Sequence, residues 1–196
     1  MDKIDDQHYI KRIIAGNPDE FAVLVNRYKN MVFTLSYKMI KNREQAEEVC
    51  QDAFVKVYRS LDTFKSESKF STWVYKITYN TCLDHLKKYN NKNSLVSFED
   101  LSGEQLKTIE NILDGTDQAE RNQKIQDCLH LLPPQEAFLL TLYYFDDLTI
   151  EEIAKVIATN ANNIKIKLFR SRKNLACILR QHLGPEMIAY YEREKR

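Results

Sequence analysis

The residue pattern predicts an all-α protein: two small helical domains joined by a flexible acidic linker, the second domain carrying a helix-turn-helix. Three observations lead there. Glycine and proline contribute only 4 residues each to a chain of 196, too few for a turn-rich sandwich or barrel. Apolar residues recur at three- and four-residue steps along most of the chain, the period of a helix with one buried face. Between residues 90 and 118 that periodicity stops, both Gly103 and Gly115 occur, and two lysines stand against Glu99, Asp100, Glu104, Glu110, Asp114 and Asp117.

Taken in order, Phe21, Leu24, Val25, Tyr28, Val32, Leu35 and Met39 predict an amphipathic helix over 19–40. Ala46, Val49, Cys50, Ala53, Phe54, Val57, Tyr58 and Leu61 form the stripe of a second helix. Glu44, Glu47, Glu48, Gln51 and Asp52 lie on its other side near its start, where the helix dipole favours negative charge. Residues 62–70 (DTFKSESKF) are polar and read as a loop, and Ser71 is positioned to cap a third helix from Thr72 to about Lys88. On a helical wheel Thr72, Lys76, Tyr79, Asn80, Leu83 and Lys87 share one arc, with Val74, Ile77, Thr78 and Thr81 opposite, facing the core.

After the linker, Ile125, Cys128, Leu129 and Leu132 mark a helix that stops at Pro133-Pro134. A new helix starts there, since proline is tolerated in a first turn, and runs through Phe138 and Leu142 to Phe145. Thr149-Ile150-Glu151-Glu152 is a capping box, and the short helix behind it buries Ile150, Ile153, Ala154 and Ile157. Asn160 caps a longer helix with Ile164, Leu168, Leu175 and Ile178 on one face. Two helices joined by so short a turn form a helix-turn-helix. The domains are therefore placed at 1–89 and 119–183, with the linker at 90–118 and a tail at 184–196. Lobes of this size bury only about 60% of their unfolded surface and are marginal alone.

Composition limits the function. Lys and Arg number 29 against 28 for Asp and Glu, yet from Lys155 to Pro185 there is no acidic residue among seven basic ones. Such segregation assigns different electrostatic partners to different segments. The longest apolar run, Ala137–Phe145, is far short of the roughly 20 residues that cross a bilayer, and MDKIDDQHYI lacks the pattern of a secretory signal. Cys50, Cys82, Cys128 and Cys177 are widely spaced, with no CxxC, as in cytosolic thiols. A cytoplasmic protein without direct membrane insertion is expected. The pairs Cys82/His85, Cys128/His130 and Cys177/His182 are scattered over both lobes, whereas zinc needs four converging ligands. No glycine-rich phosphate cradle or nucleophile motif is found, so neither metal, cofactor nor catalysis is expected.

Two constellations point to nucleic acid. The outer face of the last helix holds Asn162, Asn163, Ile166, Phe169, Arg170 and Lys173, flanked by Lys165, Lys167 and Arg172. Asn and Arg make bidentate contacts to base edges, apolar groups suit thymine methyls, and the cations neutralise phosphates; a merely solvated basic face is the bland reading. In the first lobe, Phe64, Phe70, Trp73, Tyr75, Tyr79 and Tyr89 interleave with Lys65, Lys69, Lys76, Lys87 and Lys88. Aromatic faces stacking on unpaired bases, with lysines along the backbone, suit single-stranded DNA. Core packing accounts for several of these rings equally well. The acidic face of the second helix reads as solvated surface or as a docking site for a basic partner.

At these residues the chain resembles the extracytoplasmic-function sigma factors of bacterial RNA polymerase. AEEVCQDAFVKVYRSLDTFKSESKFSTWVYKITYNTCLDHLKK is similar to their region two, and LLPPQEAFLLTLYYFDDLTIEEIAKVIATNANNIKIKLFRSRKNL to their region four. The resemblance implies docking on core polymerase through Glu44, Glu47, Glu48, Gln51 and Asp52. It implies capture of a flipped base of the melted minus-ten element by Lys65, Ser66, Ser68, Lys69, Phe70, Thr72, Trp73, Lys76, Tyr79 and Asn80. It further implies major-groove reading of the minus-thirty-five element by Lys165, Ile166, Phe169 and Arg170, with Lys167 and Arg172 on phosphates, and an anti-sigma partner for the free protein. The linker would thread the polymerase near the nascent RNA path. Three departures stand out: Ala158 where relatives often carry Gly, implying a different turn; Ile166 where a small polar residue is common; and Asn162-Asn163 in place of a Gly-Thr pair. An unusual minus-thirty-five preference is expected from them. The competing accounts are a stand-alone helix-turn-helix regulator of duplex DNA and a helical adaptor for an acidic protein.

Overall fold

The computed structural model describes residues 5–89 and 119–182; the linker and tail expected at 90–118 and 184–196 lie outside them. Every regular element among the described residues is helical. The first lobe contains α1 (Asp6–Ile14), α2 (Phe21–Ile40), α3 (Arg43–Arg59) and α4 (Phe70–Tyr89), with 3-10 turns at Pro18–Glu20 and Leu61–Thr63. The second contains α5 (Ala119–Leu131), α6 (Pro134–Tyr144), α7 (Ile150–Ile157) and α8 (Ala161–His182).

Helices α2, α3 and α4 pack pairwise. The joint between α2 and α3 is only two residues long. Lys41 ends α2 in the left-handed region (φ 60°), and the Asn42 side chain accepts from the Gln45 backbone N–H at 3.0 Å, capping α3. The core gathers Leu24 and Val32 of α2, Ala53 and Val57 of α3, and Phe70 and Val74 of α4. Ala46 and Ala53 are fully buried, and their small side chains let neighbouring helices approach closely. Helix α1, which the periodicity does not announce, adds Ile10 and Ile13 to the same core. Those are its two buried residues, too few to stand out in DQHYIKRII.

Helix α4 departs from its expected wheel. It starts at Phe70 rather than Thr72, so Ser71 lies inside it. Val74, Thr78 and Thr81 face inward as expected, but Thr72, Tyr75 and Tyr79 are buried as well. The reason is that α4 packs on both α2 and α3, which covers a wider arc than one partner does. Burial carries no orphan hydroxyl at Thr78 or Thr81, which donate to the Val74 and Ile77 carbonyls at 2.9 and 2.8 Å. Along the stripe of α3 the structure differs at Tyr58, which is exposed, its ring edge-on to Phe21 at 5.0 Å.

In the second lobe Pro133 is extended and Pro134 opens α6, as the missing N–H at that position costs nothing. The residues from Ala137 to Leu142 are all buried. The capping box forms reciprocally: the Glu152 N–H donates to Thr149 Oγ1 at 3.2 Å, and the Thr149 N–H donates to Glu152 Oε2 at 3.0 Å. Ala158 then turns the chain with φ 57°. Asn160 caps α8, its side chain accepting from the Asn163 N–H at 2.8 Å. Ile164, Leu168, Leu175 and Ile178 are buried on one face, and α8 packs on α5 and α6.

Candidate nucleic-acid interface

The face of α8 opposite its buried stripe is solvent-exposed at Asn162, Asn163, Lys165, Ile166, Lys167, Phe169 and Arg170. Ile166 and Phe169 are 51% and 46% exposed, large apolar groups that the core leaves in water. Local contacts distinguish the flanking residues. The Lys173 ammonium sits 5.3 Å from the centre of the Phe169 ring, a cation held beside an aromatic face. Arg172 is half-buried, its guanidinium 5.8 and 5.7 Å from the Tyr143 and Tyr144 rings of α6. It therefore braces α8 on α6, a role that the charge pattern alone does not reveal. Asn163 donates its side-chain amide to Thr159 Oγ1 at 3.2 Å, so it also staples the turn. Further along α8, Asn174 ties it to α6, donating to both carboxylate oxygens of Glu136 at 2.9 and 2.7 Å. Burial pushes the Glu136 carboxyl pKa up, and the Asn174 hydrogen bond partly offsets this.

In the first lobe the segment from Phe64 to Lys69 joins α3's following turn to α4. Lys65, Ser66, Lys69, Lys76 and Asn80 are exposed, Ser68 and Trp73 half-buried, and Phe70, Thr72 and Tyr79 buried. The three buried side chains thus stand in the frame beneath the surface, where the wheel placed Thr72 and Tyr79 outside. Burial also pushes the Tyr79 phenol pKa up. Phe64, Phe70 and Trp73 form a ring cluster, with centroids 5.3 Å apart for Phe64–Phe70, 5.3 Å for Phe64–Trp73 and 5.6 Å for Phe70–Trp73. Around it Lys65, Glu67, Ser68 and Lys76 line a concave surface. The result is an aromatic floor, partly accessible, with cations at its edge, the arrangement that stacks and neutralises single-stranded nucleic acid. The Ser66 backbone is left-handed (φ 59°), and Gln7 of α1 donates to its hydroxyl at 2.6 Å.

On α3 the side chains of Glu44, Glu47, Glu48, Gln51 and Asp52 are all exposed. Arg43 pairs with Glu47 at 3.1 Å. One turn further on, Val55 and Tyr58 are 47% and 44% exposed, giving this face an apolar extension; of the two, Tyr58 belongs to the stripe that the periodicity assigns to the core. Cys82 is fully buried and its pKa is pushed up to about 12, chiefly by that burial. Among the described residues no group of His, Cys, Asp and Glu could hold a metal ion, and no helix is long and apolar enough to cross a membrane.

Fold and surfaces define a class: an all-helical, two-lobed protein with a capped helix-turn-helix whose second helix presents a basic and aromatic outer face. Comparison with known proteins narrows it. Residues 24–92 match the family model of Sigma-70 region 2, and residues 122–175 that of Sigma-70, region 4. The chain is 30% identical over 177 residues to the ECF RNA polymerase sigma factor SigW of Bacillus subtilis (strain 168), covering 87% of this chain and 95% of that protein. It is 29% identical over 178 residues to the ECF RNA polymerase sigma-E factor of Escherichia coli (strain K12), covering 88% and 93%. Its fold is that of CnrH, solved in complex with the cytosolic domain of CnrY, with a TM-score of 0.62 at 19% identity over 89% of this chain and 96% of that one. The sigma factor RpoE from Bartonella quintana, solved with the anti-sigma factor NepR, gives a TM-score of 0.60 at 15% identity over 82% and 96%.

The chain belongs to the extracytoplasmic-function sigma factors of RNA polymerase. It accordingly directs core RNA polymerase to specific promoters, melts the minus-ten element and initiates transcription.

Proposed function

We propose that the three exposed surfaces divide the work of initiation, with domains at 1–89 and 119–183 and the linker between them. Helix α3 docks on core polymerase through Glu44, Glu47, Glu48, Gln51 and Asp52, continued by the apolar Val55 and Tyr58. The loop Phe64–Lys69 and the exposed side of α4 capture the opened minus-ten strand. Lys65, Ser68, Lys69, Lys76 and Asn80 reach the DNA, Trp73 offers a ring face, and Phe70, Thr72 and Tyr79 hold the surface from beneath. Helix α8 enters the major groove of the minus-thirty-five element. There Lys165, Ile166, Phe169 and Arg170 face bases, Asn162 and Lys167 face the flanking backbone, and Arg172 is braced on α6.

The observation that carries this reading is the exposed pair Ile166 and Phe169 set among cations on the helix after the capped turn. Apolar side chains left in water beside Arg170 and Lys165 are suited to a groove with thymine methyls and guanine edges. The energetics of the first lobe are consistent with melting without a chemical energy source. Unstacking a base costs a few kcal/mol, and stacking on an aromatic ring returns about 1–3 kcal/mol per base. The protein works in the cytoplasm, catalyses nothing by itself, uses no cofactor, and is held inactive by an anti-sigma factor, as CnrH and RpoE were each solved with a partner.

Run-off transcription by core polymerase on a fragmented genomic library, with and without the protein, tests the assignment. Discrete new start sites sharing upstream motifs are expected, and the double variant Phe169→Ala, Arg170→Ala abolishes the preference for the distal motif. Polymerase that neither binds the protein nor starts anywhere new would overturn the reading, and tight sequence-specific duplex binding by the chain alone would favour a stand-alone regulator.

A further inference from the structure

We propose that α1 is a brace for the base-capturing loop, and that Gln7 is a positioning residue for minus-ten selectivity; this rests on the function proposed above. Helix α1 bonds the Phe64–Lys69 loop directly at its turn and supports its exit through Tyr28 of α2. At the turn, Gln7 Nε2 donates to Ser66 Oγ at 2.6 Å across 59 residues of sequence. Ser66 has φ 59°, a conformation that an L-residue other than glycine, asparagine or aspartate adopts only when its surroundings hold it there. At the loop's exit, the Asp6 carboxylate accepts from the Tyr28 hydroxyl and from Arg27 of α2. The Tyr28 ring packs edge-on against Phe70, 5.5 Å away, and Phe70 in turn holds Phe64 and Trp73. The Tyr28 phenol remains a donor, because burial and then its bond to Asp6 push its pKa up.

Neighbouring side chains on one helix turn therefore support the turn and the exit of the loop, Gln7 through Ser66 and Asp6 through Tyr28 and Phe70. Helix α1 is itself anchored independently of the loop, by Ile10 and Ile13 in the core and by an Arg12–Glu20 ion pair at 2.9 Å. An anchored helix that grips a strained turn pre-orders the loop before DNA arrives. Ordering that would otherwise be lost on binding is then already spent, and a base that fits the ordered shape is favoured over one that needs the loop to move. Ser66 serves here through its backbone geometry, its hydroxyl oxygen being engaged by α1.

The test uses the full chain bound to core polymerase. Two single-stranded oligonucleotides carry the non-template minus-ten sequence found by run-off mapping, one native and one with its most discriminating base replaced. Gln7→Ala is expected to lower the ratio of the two affinities by about three- to tenfold, the worth of one hydrogen bond. Polymerase affinity stays at its original value, and the melting temperature falls by no more than the few degrees that one hydrogen bond is worth. Ser66→Ala gives the same loss, and the double variant no more than either alone, since both remove one interaction. An unchanged ratio, an equal fall in affinity for both oligonucleotides, or additive losses would each overturn the brace. A wild-type chain that fails to bind polymerase or to initiate refutes the function itself, and the brace with it, and is read before any variant is made.

Discussion

Ala158 shows how a single residue can carry a cost that the fold tolerates. It sits at φ 57° in the turn of the helix-turn-helix, a conformation that favours glycine. Its backbone takes the left-handed geometry despite the side chain. The Thr159 N–H closes onto the Ala154 carbonyl at 3.0 Å at the end of α7, and the Asn160 cap holds the start of α8. A left-handed alanine costs about 1–2 kcal/mol, part of which glycine would give back through its freer unfolded chain. Ala158→Gly is therefore expected to stabilise the second lobe by about 0.5–1 kcal/mol, read as a higher denaturant midpoint with an unchanged slope. A lower midpoint would mean that the methyl group makes contacts worth more than the strain.

At the scale of the element, the second lobe is the more locally encoded of the two. Its helix boundaries follow from Pro134, which opens α6 where no N–H is needed, and from Thr149, Glu152 and Asn160, each of which makes the capping bond its position implies. Thr149→Ala removes one partner of the reciprocal pair and is expected to cost about 1 kcal/mol of stability, measured by chemical denaturation. Under the proposed docking of α8 in the major groove, the same change should also weaken minus-thirty-five binding, because the box holds the start of α7, the helix before α8. In the first lobe the elements are less legible. Helix α1 has two buried residues in nine, below what a periodicity can register, and its partners lie far along the chain at Arg27, Tyr28 and Ser66. The wheel of α4 misplaced Thr72 and Tyr79 for a related reason: a wheel assumes one buried arc, and α4 has two neighbours.

For the whole molecule, the near balance of charge, net +1, conceals surfaces of opposite sign suited to different partners. An acidic face on α3 and a basic face on α8 let one small protein meet both a protein and a nucleic acid without confusing them. Because phosphate contacts release counterions, affinity of the protein–polymerase complex for promoter duplex falls with salt. Lys167→Ala is expected to weaken binding to all sequences alike and to reduce the slope of log affinity against log salt by about 1. Arg170→Ala should instead lose about 1–3 kcal/mol on the cognate sequence and relax its selectivity. Equal losses from Arg170→Ala on cognate and unrelated DNA would reassign that residue to the phosphates.

The amino-acid sequence by itself determined the helices of known period, their caps, the helix-turn-helix and the exposed row Asn162, Lys165, Ile166, Phe169 and Arg170, along with the family those segments resemble. These are local properties, written in residues three and four apart and in capping side chains beside the helix ends they satisfy. The tertiary structure decided which rings around the Phe64–Lys69 loop lie beneath the surface, that Arg172 packs on the rings of α6, that Tyr58 faces outward beside Val55, and that Gln7 of α1 bonds to the loop at Ser66. Those outcomes depend on which elements meet. Burial is set by the number and direction of neighbours, and a bond across 59 residues, like that from Gln7 to Ser66, leaves no mark in the spacing of either residue.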